Sequence, residues 1–223
     1  MTTKIQTVLF DLDGTILDTN ELIIQSFIHA LKDIVPTDFN REHIIPSMGH
    51  PLAVQMQLFS QLEDVSHLVA EYRKINLQLH DELVRPFPHV LEVLEALHSA
   101  GLQLGVVTTK MRMTTERGLK YVGLWDWMSS IVTMDDVQHP KPHPEPVQRA
   151  VRELNADPSS TLMVGDSGVD MESALAAGVI PVGVAWSLKG EAKLWEAGAK
   201  HMLHDMRDLY EIVGLERGAL EKG

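Results

Sequence analysis

The stretch "TVLFDLDGTILDTN", residues 7–20, decides how this chain is read. Val8, Leu9 and Phe10 form an apolar run, and carboxylates follow at Asp11, Asp13 and Asp18. Acids this close repel one another. They belong either to a solvated turn or to a site in which something offsets their charge. The surrounding sequence decides between the two.

Working outward, Ile5 to Phe10 reads as a buried strand, and Glu21 to Asp33 carries Leu22, Ile23, Phe27 and Leu31 at helical spacing. "PFPHVLEVLEALHSAG" is a helix with prolines near its start and Gly101 at its end. Strands are predicted at "LQLGVVTT", "SIVT", "TLMVGD" and "IPVGVA", with helices at Thr114 to Tyr121, "PVQRAVREL" and "MESALAAG" between them. This alternation predicts an α/β fold, a doubly wound parallel sheet of Rossmann-like type covered on both faces. Ligands of such sheets bind outside the carboxyl ends of the strands. Those ends carry Asp11 and Asp13, then Thr108 and Thr109, then Gly165 and Asp166, with Lys141 in a loop after the third strand.

Residues 17–84 break the rhythm. "LAVQMQLFSQL" and "HLVAEYRKINLQLHDELV" are helical in pattern, no strand stands out, and one crossover helix does not need this length. The expected organisation is a catalytic core of residues 1–16 and 85–223 and a small helical cap of residues 17–84. The turns at Thr15–Thr19 and Arg85–Pro88 would be its hinges. Asp18, beside Thr19 and Asn20, reads as a cap or turn residue at a helix start.

Composition narrows the classes. Hydrophobic content of 44% and charged content of 22% are those of a globular protein, and no apolar run approaches the ~20 residues that span a bilayer. "MTTKIQ" has no secretory pattern, and with no cysteine there are no disulfides, thiolate metal sites or cysteine nucleophiles. A cytoplasmic location fits this. The net charge of −12 argues against a nucleic-acid partner but not against a phosphorylated one, which needs only a local positive site. Among the 11 histidines, His139 and His143 flank Lys141 and His201 and His204 sit near a late strand, with no recognisable zinc-ligand motif.

"DLDGT", "VVTTK", "KPHPEP" and "GDSGVD" resemble, in order and spacing, the four motifs of the haloacid dehalogenase superfamily, and the resemblance covers essentially the whole chain. It implies Mg2+ as cofactor and Asp11 as both nucleophile and metal ligand. Asp13 would be general acid and base, its backbone carbonyl facing the metal. The family's carbon–halogen dehalogenases lack this second aspartate, so the resemblance points to phosphoryl transfer through an aspartyl phosphate. Thr108 would hold the transferring phosphoryl group, and Lys141, stiffened by prolines at 140, 142, 144 and 146, would neutralise the charge it shares with Asp11. Thr109 stands where many relatives have asparagine; its backbone amide would be the working group. Asp166 would be the third metal contact, and Asp170 would orient a metal-bound water or Lys141. Gly14 would allow close backbone approach, and Thr15 would hydrogen-bond within the turn.

The expected function is a Mg2+-dependent phosphohydrolase acting on a small phosphorylated substrate, as a monomer or weak homodimer, without nucleic acid or membrane. Substrate choice would lie in the cap, with His50 in "SMGHPL" (residues 47–52) near the leaving group. Within the family, "FDLDGTILDTNELI" and "SFIHAL" are most similar to the bacterial inorganic pyrophosphatases of this fold. Phosphoglycolate phosphatases come next, then β-phosphoglucomutase. A receiver-like phosphate sensor, which also places acids, a threonine and a lysine at strand ends, is the alternative from another class.

Overall fold

The computed structural model describes residues 4–215. Its first half contains β1 (Thr7–Phe10), β2 (Leu17–Asp18), α1 (Asn20–Leu31), α2 (Arg41–Ile44), α3 (Leu52–Ser60), α4 (Ser66–Leu83), β3 (Arg85–Pro86) and α5 (Val90–Ser99). The second half continues with β4 (Gln103–Val107), α6 (Arg112–Val122), β5 (Ser130–Val132), α7 (Glu145–Glu153), β6 (Thr161–Gly165) and α8 (Gly168–Ala177). It closes with β7 (Ile180–Val184), α9 (Glu191–Glu196), β8 (His201–Leu203) and α10 (Leu209–Val213).

Six strands form one parallel sheet in the order β5-β4-β1-β6-β7-β8. Because side chains alternate across a strand, Val8 and Phe10 enter one apolar layer with Val106, Val164 and the α5 residues Val93 and Leu97. Leu9 enters the opposite layer with Val107, Met163 and the α7 residues Val147 and Ala150. Both faces are covered, so β1 is uninterruptedly apolar instead of alternating. β1 pairs with β4 on one side and β6 on the other, Phe10 lying opposite Val106 and Val164. The direction of winding reverses there, which opens a crevice at the carboxyl ends of these three strands.

Helices α1 to α4 gather around a separate apolar cluster that includes Ile24, Phe27, Leu31, Met56, Leu68 and Tyr72. The Phe27 ring stands edge-on to Phe59 with centroids 5.4 Å apart and lies 4.8 Å from Tyr72. The chain enters and leaves this helical unit through β2 and β3, which pair antiparallel with Leu17 opposite Pro86 and Asp18 opposite Arg85. The two segments expected as hinges, Thr15–Thr19 and Arg85–Pro88, thus each contain a short strand that the sequence reading did not foresee. Two-residue strands are too short to leave a periodicity, and their pairing ties entry to exit. Asp18 behaves as a turn residue: its Oδ1 accepts a hydrogen bond from Asn20 N at 3.2 Å, just where α1 begins. Among the described residues no helix is long and apolar enough to cross a membrane.

Candidate active site

β1 ends at Phe10, and the Asp11 amide still donates to Val164 O on the neighbouring strand at 2.8 Å. Asp11 is therefore fixed by the sheet itself. The chain then folds back: Leu17 N donates to Leu12 O at 2.9 Å and Gly14 N to Leu17 O at 2.8 Å. Gly14 has φ +83°, and a Cβ on it would lie 2.8 Å from Asp166 Oδ2. Glycine is needed twice here, for the dihedral and for the space, and the result is that the turn bearing Asp13 lies against Asp166 at the end of β6. The Thr15 hydroxyl, expected to bond within the turn, is instead buried with no hydrogen-bond partner among the described residues. The helix-like folding of residues 12–17 uses backbone groups and leaves it none.

Lys141 is buried, and its ammonium donates to Asp11 Oδ1 at 2.7 Å, Asp170 Oδ1 at 2.6 Å and Val107 O at 2.9 Å. A lysine ammonium has three donors, and all three are taken. Asp170 is held from its other side as well: Oδ2 accepts from Ser167 N at 3.0 Å and Ser167 Oγ at 2.8 Å, closing a capping box on α8. Asp170 therefore contacts Lys141 directly while its second oxygen is fixed by Ser167.

Burial lifts the Asp11 carboxyl well above its ordinary value, to about 8; Lys141 pulls the other way, and Asp170 and Asp166 add to the rise. Burial also lifts Asp166, against the pull of Lys189. For Lys141, burial alone would favour the neutral amine, but Asp11 and Asp170 outweigh it and hold the ammonium charged.

A cavity of about 210 Å³ opens on this edge, lined among others by Asp11, Asp13, Thr108, Thr109, His50 and Asp166. Thr108 is buried, and its Oγ1 accepts from Lys110 N at 3.1 Å. Thr109 Oγ1 donates to Gly49 O at 3.1 Å, so its side chain ties the end of β4 to the 47–52 loop. The sequence assigned Thr109 a backbone role, and the side-chain contact is an addition. His50 lines the same cavity.

Two lysines were missed. Lys110 Nζ donates to Asp13 Oδ1 at 2.8 Å, and Lys189 Nζ donates to Asp166 Oδ2 at 2.7 Å. Lys110 lay inside the quoted "VVTTK", and Lys189 follows the carboxyl end of β7, so the strand-end rule could have found both. A lone loop lysine gives no other signal.

Carboxylate oxygens of Asp11, Asp166 and Asp170 lie within 4.8 Å of one another and could hold a metal ion. The donor set is all oxygen and suits a hard cation, and Gly14 leaves the space beside Asp166 clear. Since both Asp170 oxygens are engaged, Asp11 and Asp166 are the better-placed ligands. His139, His143 and Glu145 also converge, a grouping the sequence motifs did not suggest. Their polar atoms close the turn before α7: the Glu145 carboxylate accepts from the Gln138 and His139 amides, and His143 Nδ1 accepts from Glu145 N.

Known proteins resemble this chain in sequence and in fold. Relatives named Pyrophosphatase PpaX from Bacillus velezensis and Bacillus pumilus are 44% and 46% identical to this chain. The first match covers 96% of this chain and 98% of the relative, the second 95% and 98%. The crystal structure of a hydrolase from Pseudomonas syringae, 25% identical, superposes with a TM-score of 0.84 over 94% of this chain and 98% of its own. Residues 8–184, which run from β1 to the end of β7 and so contain every side chain of this site except Lys189, match the haloacid dehalogenase-like hydrolase family, to which this chain belongs.

Proposed function

We propose that this hydrolase cleaves inorganic pyrophosphate with Mg2+, through a phosphoryl group carried transiently on Asp11. The observation that carries the chemistry is the buried Asp11–Lys141–Asp170 chain beside Asp13 and Asp166. The substrate rests on the relatives named as pyrophosphatases, together with a small cavity whose lining includes Arg73, Lys110 and Lys189. Mg2+ would be held by Asp11 and Asp166, with the Asp13 carbonyl, and when bound would offset phosphate and carboxylate charge.

Lys141 holds Asp11 by Oδ1 and supplies positive charge where the phosphoryl oxygens gather. An Asp11 oxygen attacks phosphorus, and the bond to the bridging oxygen breaks. Asp13, as the acid, gives its proton to the departing phosphate. Thr108 binds the transferred group. Asp13, now a carboxylate, takes a proton from water as that water attacks the phospho-aspartate. Orthophosphate leaves, and both aspartates are restored. Proton transfer of this kind contributes ~10²–10⁴-fold.

Residues 17–84 serve as the cap. The Thr109–Gly49 hydrogen bond supports that reading, as does the close seat of the 47–52 loop, where a Cβ on Gly49 would come 2.8 Å from Ser167 Oγ. A cap seated so closely excludes bulky substrates, and His50 stands on its inner side near the leaving group.

The test is phosphate release with Mg2+ from pyrophosphate, phosphoglycolate, sugar phosphates and nucleoside monophosphates, with EDTA and Asp11→Asn as controls. A preference for pyrophosphate of ten-fold or more in kcat/KM, about 1.4 kcal/mol in transition-state binding, supports the assignment. A flat profile or a preference for phosphoglycolate refutes pyrophosphate as substrate. Turnover by Asp11→Asn near the wild-type rate refutes the nucleophile.

A further inference from the structure

We propose that Lys189 is an exchangeable counter-ion of the metal site: its ammonium holds Asp166 until a divalent cation binds, and is then released toward the substrate anion. Lys141 and Lys189 are held differently. Lys141 has three acceptors on three elements and is locked. Among the described residues the Lys189 ammonium donates only to Asp166 Oδ2, at 2.7 Å. Its side chain is 8% exposed and that of Asp166 is 6%, so the pair is shielded from solvent and the lysine charge bears fully on any cation approaching that carboxylate.

The loop after β7 is built for this contact. Ser187 Oγ donates to Asp166 O at 2.6 Å, and Lys189 N donates to Ser187 Oγ at 3.1 Å, which folds the loop over the aspartate. Lys189 also lines two cavities. One contains Asp11, Asp13 and Thr108; the other, about 430 Å³, is bounded by Pro46, Ser167, Gly168 and Lys193. Rotation of its flexible stem carries the ammonium off Asp166 without moving the backbone. On the first side it meets the anion that the proposed phosphoryl chemistry places beside Asp11. That destination rests on the proposed function; the competition at Asp166 does not.

The experiment is calorimetric titration of Mg2+ into the full chain stripped of divalent ions, without substrate, in wild type, Lys189→Met and Lys189→Arg. Lys189→Met is expected to bind Mg2+ at least ten-fold more tightly, while its EDTA-treated form melts below wild type. Lys189→Arg, which keeps the charge, is expected to retain the wild-type Mg2+ affinity. With pyrophosphate, Lys189→Met should raise KM by more than it lowers kcat. A lysine that merely packs the loop would leave Mg2+ affinity unchanged, and a lysine that helps seat the metal would make the variant bind more weakly; either result overturns the proposal. Lys189→Gln, which keeps a donor but no charge, gives the same reading if the methionine variant does not fold. If pyrophosphate proves not to be the substrate, the Mg2+ titration still decides the competition.

Discussion

Gly165→Ala puts the positioning of Lys141 under direct test without touching a reacting group. Gly165 ends β6, and a Cβ there would stand 2.4 Å from Asp170 Cβ and 2.5 Å from its Cγ. Ordinary contacts begin near 3.4 Å, so relief requires a displacement of about 1 Å. The Cβ of Asp170 is not the free end of a flexible chain. It sits in the first turn of α8, so the helix start must move with it. Asp170 Oδ1 is 2.6 Å from Lys141 Nζ, and a 1 Å shift along that line takes the pair to roughly 3.6 Å, beyond hydrogen-bond reach. Overpacking of this kind costs about 1–3 kcal/mol, or roughly 2–12 °C in Tm for a chain of this size. A misplacement of about 1 Å at a charge-stabilising group costs on the order of 10²-fold in kcat. Thermal melting and steady-state phosphate release on the same preparation measure both. A variant with unchanged Tm and kcat within about three-fold of wild type would mean that Asp170 does not hold Lys141 in its working place.

Lys141→Met should cost about 3–5 kcal/mol in urea denaturation, because it leaves the buried Asp11 and Asp170 carboxylates without their cation, and should reduce phosphate release by at least ~10²-fold. For pH, Asp11 is lifted from 3.8 to about 8 in the folded chain, so between those values the folded state holds a proton that the unfolded chain has released. The stability of the EDTA-treated protein should therefore fall as pH rises through that window. Mg2+ should raise Tm more at pH 8 than at about pH 5.5, since it binds the ionised carboxylates; an equal increment at both would refute the sign. Thr109→Val removes a hydrogen bond of about 0.5–1.5 kcal/mol to Gly49 in the 47–52 loop. It should raise KM by roughly two- to ten-fold with little change in kcat, and a loss confined to kcat would show that Thr109 acts on the chemistry instead.

The sheet was legible in the sequence because its strands are buried on both faces and their punctuation is strong: apolar runs at residues 7–10 and 161–165 end in glycine- and aspartate-bearing turns. The helical insertion was legible from its length and the spacing in α1 and α4. The β2–β3 ribbon was not, because two residues a side cannot show alternation, and its pairing joins positions far apart in the chain. Thr109 was read for its backbone alone, and its side chain finds Gly49 of the insertion only once the insertion is seated.

The acids and their counter-ions differ in legibility for one physical reason. The acids are brought to one edge by local turns, so Asp11 and Asp13 lie two apart and Asp166 and Asp170 four apart, spacings visible in any reading of the chain. Cations that offset them have long side chains and can arrive from any strand end that reaches the same edge. Lys141 is 130 positions from Asp11 and Lys110 is 97 from Asp13. Only the strand order, with β4 beside β1 and β5 beyond it, brings those distances to hydrogen-bond length. The opening repulsion between Asp11 and Asp13 is thus offset by topology. Each carboxylate of the site, Asp11, Asp13, Asp166 and Asp170, has an ammonium within 2.8 Å. A divalent cation held there by Asp11 and Asp166, as proposed, would meet the charge of these ammonium groups, so the lysines would bear on its affinity along with the aspartates.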